Sequence, residues 1–203
     1  MMHYAFAALI GYLLGCLNMA WFLSKIKGFD IRSHGSNNAG ASNAAVTMGF
    51  KAGAIVAVHD VAKALLAASL AGLLFPALPA ASAVAGVAAV IGHIFPFYLK
   101  FRGGKGFAPF LGLTLALDWR FFLLIILAAL FITLIFDYIA LATLTTAVSV
   151  PVYLFFTQAG LLVTATVCVA SCAILCKHFV NIKRIITGQE IGLRRTLSKK
   201  DRI

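Results

Sequence analysis

Acidic residues are scarce in this 203-residue chain, which holds six Asp and Glu against 17 Lys and Arg, a formal net charge of +11. Charged residues of both signs make up only 11% of the chain, and hydrophobic residues make up 62%. A soluble domain needs far more charge than this, so the long apolar runs indicate an integral membrane protein. We expect the excess of basic residues to reflect the orientation of the protein in the membrane and contact with anionic lipid headgroups. Nothing in the sequence resembles a nucleic-acid-binding module.

Cysteine is also scarce, and the four cysteines form no disulfide or metal pattern. Cys168, Cys172 and Cys176 recur every four residues, so they share one stripe of the last predicted helix. We expect no metal site there, because no histidine or carboxylate completes a tetrahedral ligand set on that stripe. Free cysteine behaves as a small hydrophobe, and the stripe is therefore predicted to pack against neighbouring helices.

Long apolar runs predict an all-α polytopic membrane protein with seven transmembrane helices in one domain, residues 1–203. The positive-inside rule places the N-terminus outside and the C-terminus in the cytoplasm. With this orientation every Lys and Arg except Lys63 and Arg120 lies on the cytoplasmic side. No basic segment precedes the first run, so we expect a retained span and not a signal peptide. The fourth run is short and is predicted to be tilted or half-inserted. The predicted spans are approximately residues 4–24, 52–75, 80–98, 107–117, 121–136, 139–156 and 161–176.

Three polar segments fall on the predicted cytoplasmic side, at about residues 33–50, 98–107 and 177–203. The first is rich in Ser, Asn and Gly, whose hydroxyl, amide and backbone N–H groups suit phosphate oxygens. In the second, three glycines surround Lys105, and consecutive backbone N–H groups beside a lysine can form a concave anion site. The alternative is a loop that only carries positive-inside charges. The glycine spacing favours a phosphate site.

Polar residues inside the predicted spans need partners, since an isolated charge in the bilayer is costly. Asp60 and Lys63 are three residues apart and can meet on one helix face, where they either hold the bundle together or line a cavity. Asn18 could line a polar cavity. Gly11 and Gly15 form a small-xxx-small face, which predicts close packing against another helix.

Three motifs occur in the order and spacing of a known enzyme family. They are GSNNAGASNA in the first polar segment, GHIFPFYLKFRGGKGF at residues 92–107, and KHFVNIKRIITGQE in the third segment. On these motifs, with Asp60-x-x-Lys63 in support, the chain resembles the bacterial acyl-phosphate:glycerol-3-phosphate acyltransferases, the PlsY family. The resemblance covers essentially the whole chain.

The resemblance implies a seven-helix, multi-pass enzyme of phospholipid biosynthesis in the bacterial cytoplasmic membrane, with its active site facing the cytoplasm. It would transfer a fatty acyl group from acyl phosphate to the 1-hydroxyl of glycerol 3-phosphate, giving lysophosphatidic acid and phosphate. No cofactor or metal is implied. We expect the protein to work as a monomer among membrane lipids.

The resemblance also implies residue roles. Acyl phosphate is an activated mixed anhydride, so catalysis needs positioning and charge stabilisation more than a strong nucleophile. Ser36, Lys105 and His178 are the predicted catalytic residues. Either His178 or, as the favoured route, a substrate phosphate oxygen takes the hydroxyl proton. His93 is expected to fix its loop through a hydrogen bond. The predicted substrate-binding residues are Asn38, Gly40, Ser42, Asn43, Gly103, Gly104 and Asn181.

The sequence departs from the family pattern most on the acceptor side. Val46 stands where the family has an arginine that binds the acceptor phosphate, and Ala140 stands where it has a serine. Lys51 could compensate for the missing arginine. The first motif keeps more of its pattern, although Asn37 replaces a glycine and Ala39 a proline.

These departures leave alternatives open beside a working glycerol-3-phosphate acyltransferase. One is a paralogue that uses another acceptor or hydrolyses acyl phosphate. Another is a non-catalytic lipid-binding membrane protein. A small transporter is a further alternative. The charged pair Asp60–Lys63 supports it, but the sequence shows no inverted repeat.

Overall fold

The computed structural model describes residues 1–190 and 192–194, and its regular structure in this part of the chain is helical. Most of the basic tail, with Arg195, Lys199, Lys200 and Arg202, lies outside the described residues. Within them the α-helices are α1 (Met2–Cys16), α2 (Met19–Ile26), α3 (Ala41–Met48), α4 (Phe50–Leu74), α5 (Ala81–Ile94), α6 (Phe107–Leu117), α7 (Trp119–Phe136), α8 (Ile139–Phe156) and α9 (Leu161–Ile186).

Six helical segments in the described part of the chain are long and apolar enough to cross a membrane. Large apolar side chains on their outer faces are exposed, as a lipid-facing surface requires; Leu127 and Phe131 of α7 are examples. Helix α6 has 11 residues and so extends about 16 Å, roughly half the hydrocarbon thickness of a bilayer. The seven-helix count and the orientation of the termini stay predictions. The six segments are Met2–Ile26, Phe50–Leu74, Ala81–Leu99, Trp119–Phe136, Ile139–Phe156 and Leu161–Ile186.

The first span is broken where the sequence predicts a continuous helix. Helix α1 ends at Cys16, and the Asn18 side chain caps α2 by accepting a hydrogen bond from the Trp21 N–H at 2.9 Å. The amide of Asn18 also donates to the Ala39 carbonyl at 3.1 Å. Asn18 is therefore buried as a helix cap that holds the following loop, and it does not line the cavity described below.

The small-residue face of α1 packs directly on α5, as predicted. A Cβ at Gly11 or Gly15 would overlap the backbone of Ala85 or Ala89, so only glycine allows the two helices to approach this closely. The bundle core behind this contact is filled by buried apolar residues such as Val90. The packing fixes α5, whose C-terminal end carries His93.

The intramembrane charges of α4 form a buried network. Lys63 Nζ lies 2.7 Å from the Asp60 carboxylate, 2.8 Å from the Leu17 carbonyl and 2.9 Å from His93 Nδ1. The three N–H groups of the ammonium therefore have three acceptors. The break after Cys16 leaves the Leu17 carbonyl available for this contact. The pair thus joins α1, α4 and α5, which favours the role of holding the bundle.

The cysteine stripe of α9 does not pack inside the bundle. Cys168, Cys172 and Cys176 are all exposed, so the predicted packing role is wrong. The buried face of α9 carries instead Val167, Ser171 and other residues. Periodicity alone identifies one stripe of a helix, but an all-apolar helix gives no signal for which stripe faces its neighbours.

Two of the predicted polar segments are more ordered than loops. Residues 33–50 contain helix α3, which begins after Gly40, and α9 continues beyond Cys176 to Ile186. The first segment was predicted as a loop because its small polar residues favour turns as well as helix N-termini. The ordered backbone of both segments fixes the side chains that surround the cavity.

Candidate active site

A cavity in the described part of the chain has a volume of about 150 Å³ and is formed by segments far apart in sequence. They are the first polar segment with α3, the start of α6, the start of α8, and the end of α9. Seven of the predicted site residues line this cavity: Ser36, Asn38, Gly40, Ser42, Lys105, His178 and Asn181. The structure therefore brings the three motifs together.

Asn43 has a different place from the predicted one. It is buried and does not line the cavity. Its Oδ1 accepts a hydrogen bond from the Ser36 N–H at 2.9 Å, and its Nδ2 lies within 3.1 Å of the carbonyls of Ile31, His34 and Asn38. Asn43 thus fixes the conformation of the loop that presents Ser36 and Asn38 to the cavity.

Helix α3 presents its N-terminus at the same wall of the cavity. Gly40 is its N-cap, no side chain caps the first turn, and Gly40, Ala41 and Ser42 all line the cavity. The first backbone N–H groups of a helix have no intrahelical partner, and the helix dipole adds partial positive charge. This wall is therefore suited to an anion.

Gly103 and Gly104 do not line the cavity, although they were predicted to bind substrate. They allow close contact with His93: a Cβ at Gly104 would overlap the His93 ring, and one at Gly103 its carbonyl oxygen. The Gly104 N–H donates to that carbonyl at 3.1 Å. His93 therefore does fix the loop, through its backbone carbonyl and the packing of its ring, and its ring nitrogen contacts Lys63.

Lys105 is held by a chain of hydrogen bonds. Its Nζ donates to Asn181 Oδ1 at 2.6 Å, and Asn181 Nδ2 donates to Glu190 Oε1 at 2.5 Å. Burial lowers the pKa of Lys105 below the usual lysine range; the carboxylate of Glu190 opposes this shift, and the nearby cation Arg184 adds to it. An ammonium in this setting gains from an anion that replaces its lost hydration.

His178 has a defined tautomer in its neutral form. Its Nδ1 lies 2.8 Å from the Ile174 carbonyl, which can only accept, so Nδ1 carries the proton. Nε2 is then left with a free lone pair and can accept a proton. The side chain is buried, and the residue lines the cavity together with Asn181 one turn further along α9.

Two positions at which the resemblance implies other residues lie at the cavity wall. Val46 and Ala140 both line it, where the resemblance implies an arginine and a serine. Thr143 lines it too, but its hydroxyl donates to the Ile139 carbonyl at 3.0 Å. Lys51 is exposed and does not line the cavity, so it does not replace the missing arginine here.

Sequence reasoning did not assign Arg184, Glu190 or His93 to the cavity. Arg184 and Glu190 line the wall formed by the end of α9 and the residues after it, and His93 reaches the cavity from α5. Asp60 lines it from α4, as one of the two alternatives for the charged pair had it. The signal for Arg184 was its position one turn beyond Asn181 on a helix whose extent was underestimated. No cluster of His, Cys, Asp or Glu among the described residues has the makeup of a metal site.

The fold and this site define a polytopic helical membrane protein with a cavity to which three motifs contribute, lined by the cations Lys105 and Arg184 and by apolar side chains. Residues 5–188 match the family described as glycerol-3-phosphate acyltransferase. The chain is 34% identical to glycerol-3-phosphate acyltransferase 1 of Oceanobacillus iheyensis, over 98% of this chain and 99% of that protein. It is 38% identical to the glycerol-3-phosphate acyltransferase of Bacillus velezensis, over 92% and 95% of the two chains.

Two solved structures have the same fold. Both are crystal structures of PlsY (YgiH), an integral membrane glycerol 3-phosphate acyltransferase. The glycerol 3-phosphate form has a TM-score of 0.88 at 33% identity and covers 94% of this chain and 95% of that one. The lysophosphatidic acid form has a TM-score of 0.85 at 32% identity, with 96% and 98% covered. The chain belongs to the glycerol-3-phosphate acyltransferase family, which confirms the predicted family and the helical integral-membrane class.

Proposed function

We propose that this protein transfers a fatty acyl group from acyl phosphate to the 1-hydroxyl of glycerol 3-phosphate, giving lysophosphatidic acid and phosphate. The observation that carries the proposal is the convergence of Ser36, Lys105 and His178 on one cavity, although they lie in three distant motifs. The family membership supports it. The related PlsY structures are described as glycerol 3-phosphate and lysophosphatidic acid forms, which are the acceptor and a product of this reaction.

The donor phosphate would bind between the N-terminus of α3 and Lys105. The hydroxyl of Ser36, the uncapped N–H groups after Gly40 and the Lys105 ammonium supply donors and positive charge to one region of the cavity. These groups suit an anion whose charge increases as it leaves. The lining also includes apolar side chains, Phe107 and Ile139 among them, which suit the start of an acyl chain.

The chemical step moves one acyl group. The 1-hydroxyl oxygen of glycerol 3-phosphate attacks the acyl carbon, a new C–O ester bond forms, and the bond from that carbon to the phosphate oxygen breaks. The electron pair leaves with inorganic phosphate, whose charge Lys105 stabilises. The hydroxyl proton passes to a substrate phosphate oxygen, with His178 Nε2 as the alternative acceptor.

The positive-inside pattern supports a cavity that faces the cytoplasm, with the N-terminus outside, the C-terminus inside and α6 as the seventh, short helix. We propose the bacterial cytoplasmic membrane as the location of the protein, where both phosphorylated substrates would reach the cavity from one side. We propose the monomer as the functional unit.

The decisive experiment measures phosphate release by purified protein from palmitoyl phosphate, with and without glycerol 3-phosphate. Release that requires glycerol 3-phosphate, together with formation of lysophosphatidic acid, is the expected result. Equal release without the acceptor would instead show an acyl-phosphate hydrolase. No release under either condition would leave the protein as a non-catalytic member of the family and overturn the proposal.

A further inference from the structure

Val46 lines the cavity with an apolar side chain, at a position where the resemblance implies a cation that binds the acceptor phosphate. Glycerol 3-phosphate carries a phosphate that needs charge-assisted donors when it is taken from water into a partly buried site. Lys105 is the cation already assigned to the donor phosphate. A second cation near the cavity would therefore have a clear role in holding the acceptor.

Arg184 is such a cation. It lies on α9 three residues after Asn181, it is half-buried, and it lines the cavity. Within residues 1–190 and 192–194, its guanidinium makes no hydrogen bond and no ion pair, even though Glu190 lines the same cavity. A guanidinium has five donors in a fork that matches phosphate oxygens, so its donors are free for a ligand.

Arg184 and Lys105 interact electrostatically across the cavity. The charge of Arg184 contributes to the lowered pKa of Lys105, whereas Glu190 acts in the opposite direction. Two cations beside one partly buried carboxylate leave net positive charge in a small space. A phosphate group bound beside each cation would offset this repulsion.

We propose that Arg184 binds the phosphate of the acceptor and takes the role that Val46 cannot perform. This inference rests on the proposed function and names the group that recognises one of its two substrates. The acceptor phosphate would then lie towards the C-terminal end of α9, with its 1-hydroxyl directed at His178 one and a half turns before Arg184 on the same helix.

The test compares steady-state kinetics of Arg184→Gln and Arg184→Lys with the wild type, each substrate varied in turn. We expect Arg184→Gln to raise the KM for glycerol 3-phosphate by about 10- to 100-fold, as for one lost charge-assisted contact, and to leave the KM for palmitoyl phosphate within about twofold. Arg184→Lys should give a smaller increase, because the charge remains and the fork is lost.

The neighbouring Lys183 offers a matched control. It belongs to the same last turn of α9 but is exposed and does not line the cavity. Lys183→Gln removes one positive charge from the same helix end, so its KM values should equal those of the wild type. A similar increase in Lys183→Gln would attribute the effect to net charge at the helix end and overturn the proposal.

Arg184→Lys, which keeps the charge, carries the test if Arg184→Gln fails to fold, and a rescue variant extends the test if Arg184→Gln folds. Adding Val46→Arg returns a cation to the acceptor side, so the double variant should regain most of the lost affinity for glycerol 3-phosphate. An unchanged acceptor KM in a folded Arg184→Gln variant, or a rise in the donor KM alone, would overturn the inference. Either result leaves the proposed function intact. The proposed function itself fails only if the wild type shows no phosphate release that depends on glycerol 3-phosphate.

Discussion

Lys105 Nζ donates a 2.6 Å hydrogen bond to Asn181 Oδ1, which joins two residues 76 positions apart in the chain. The contact joins the glycine-rich loop before α6 to the C-terminal part of α9, which is predicted to lie on the cytoplasmic side. Asn181 in turn donates to Glu190, so the position of the ammonium depends on the residues beyond α9 as well. The lysine that would face the donor phosphate is therefore held by the helix that would bind the acceptor.

Replacing Lys105 with methionine should reduce kcat for acyl transfer by about 10²- to 10³-fold, the usual cost of removing one group that stabilises transition-state charge. Asn181→Ala should cost less, because it leaves the ammonium in place and removes only its hydrogen-bond acceptor. Phosphate release at saturating substrates measures both. Lys51→Met, which removes an exposed lysine outside the cavity, is the control and should match the wild type.

Val46→Arg alone should lower the KM for glycerol 3-phosphate. The side chain lines the cavity, so an arginine there adds a charge-assisted donor for the acceptor phosphate. The measurement is the acceptor KM at saturating palmitoyl phosphate. Val46→Met, which adds length without charge, is the control. An unchanged or raised KM in Val46→Arg would contradict this account of the acceptor side.

The pH dependence of kcat/KM should show an alkaline limb with a midpoint below about 10.4, the ordinary pKa of lysine. Burial lowers the pKa of Lys105, so its ammonium loses the proton, and activity is lost, as pH rises through that lowered value. Removing the neighbouring cation raises the pKa, so Arg184→Gln should move the limb to higher pH. Glu190→Gln should move it to lower pH. Shifts of the same sign in both variants would exclude Lys105 as the titrating group.

Lys63→Met should destabilise the fold by about 3–5 kcal/mol, because it leaves the buried carboxylate of Asp60 without its main partner. Adding Asp60→Asn should restore part of the loss, since the unpaired charge is then removed. Thermal unfolding in detergent measures both variants. If the double variant were less stable than Lys63→Met, the pair would not act as a coupled buried unit.

The motifs predicted most of the site residues correctly as cavity lining, but three of the predicted binding residues lie outside the lining. Ser36, Lys105 and His178 line the cavity as expected. Asn43 and Gly104 sit behind it, because a short motif does not reveal which of its residues face a ligand and which fix the backbone. Arg184 was missed since its role depends on how far α9 extends and on which face it turns to the cavity.

Composition and local sequence by themselves determined the class of protein, the approximate spans and the motifs, because apolar run length and local residue type are properties of the chain. Tertiary structure decided which faces of the apolar helices are buried, where the first span breaks, and which side chains meet in the cavity. The physical reason is that these depend on packing between distant segments, as in the contact of Gly15 with Ala89 and of Lys105 with Asn181. A uniformly apolar helix gives no local preference among its faces, so only its neighbours determine them.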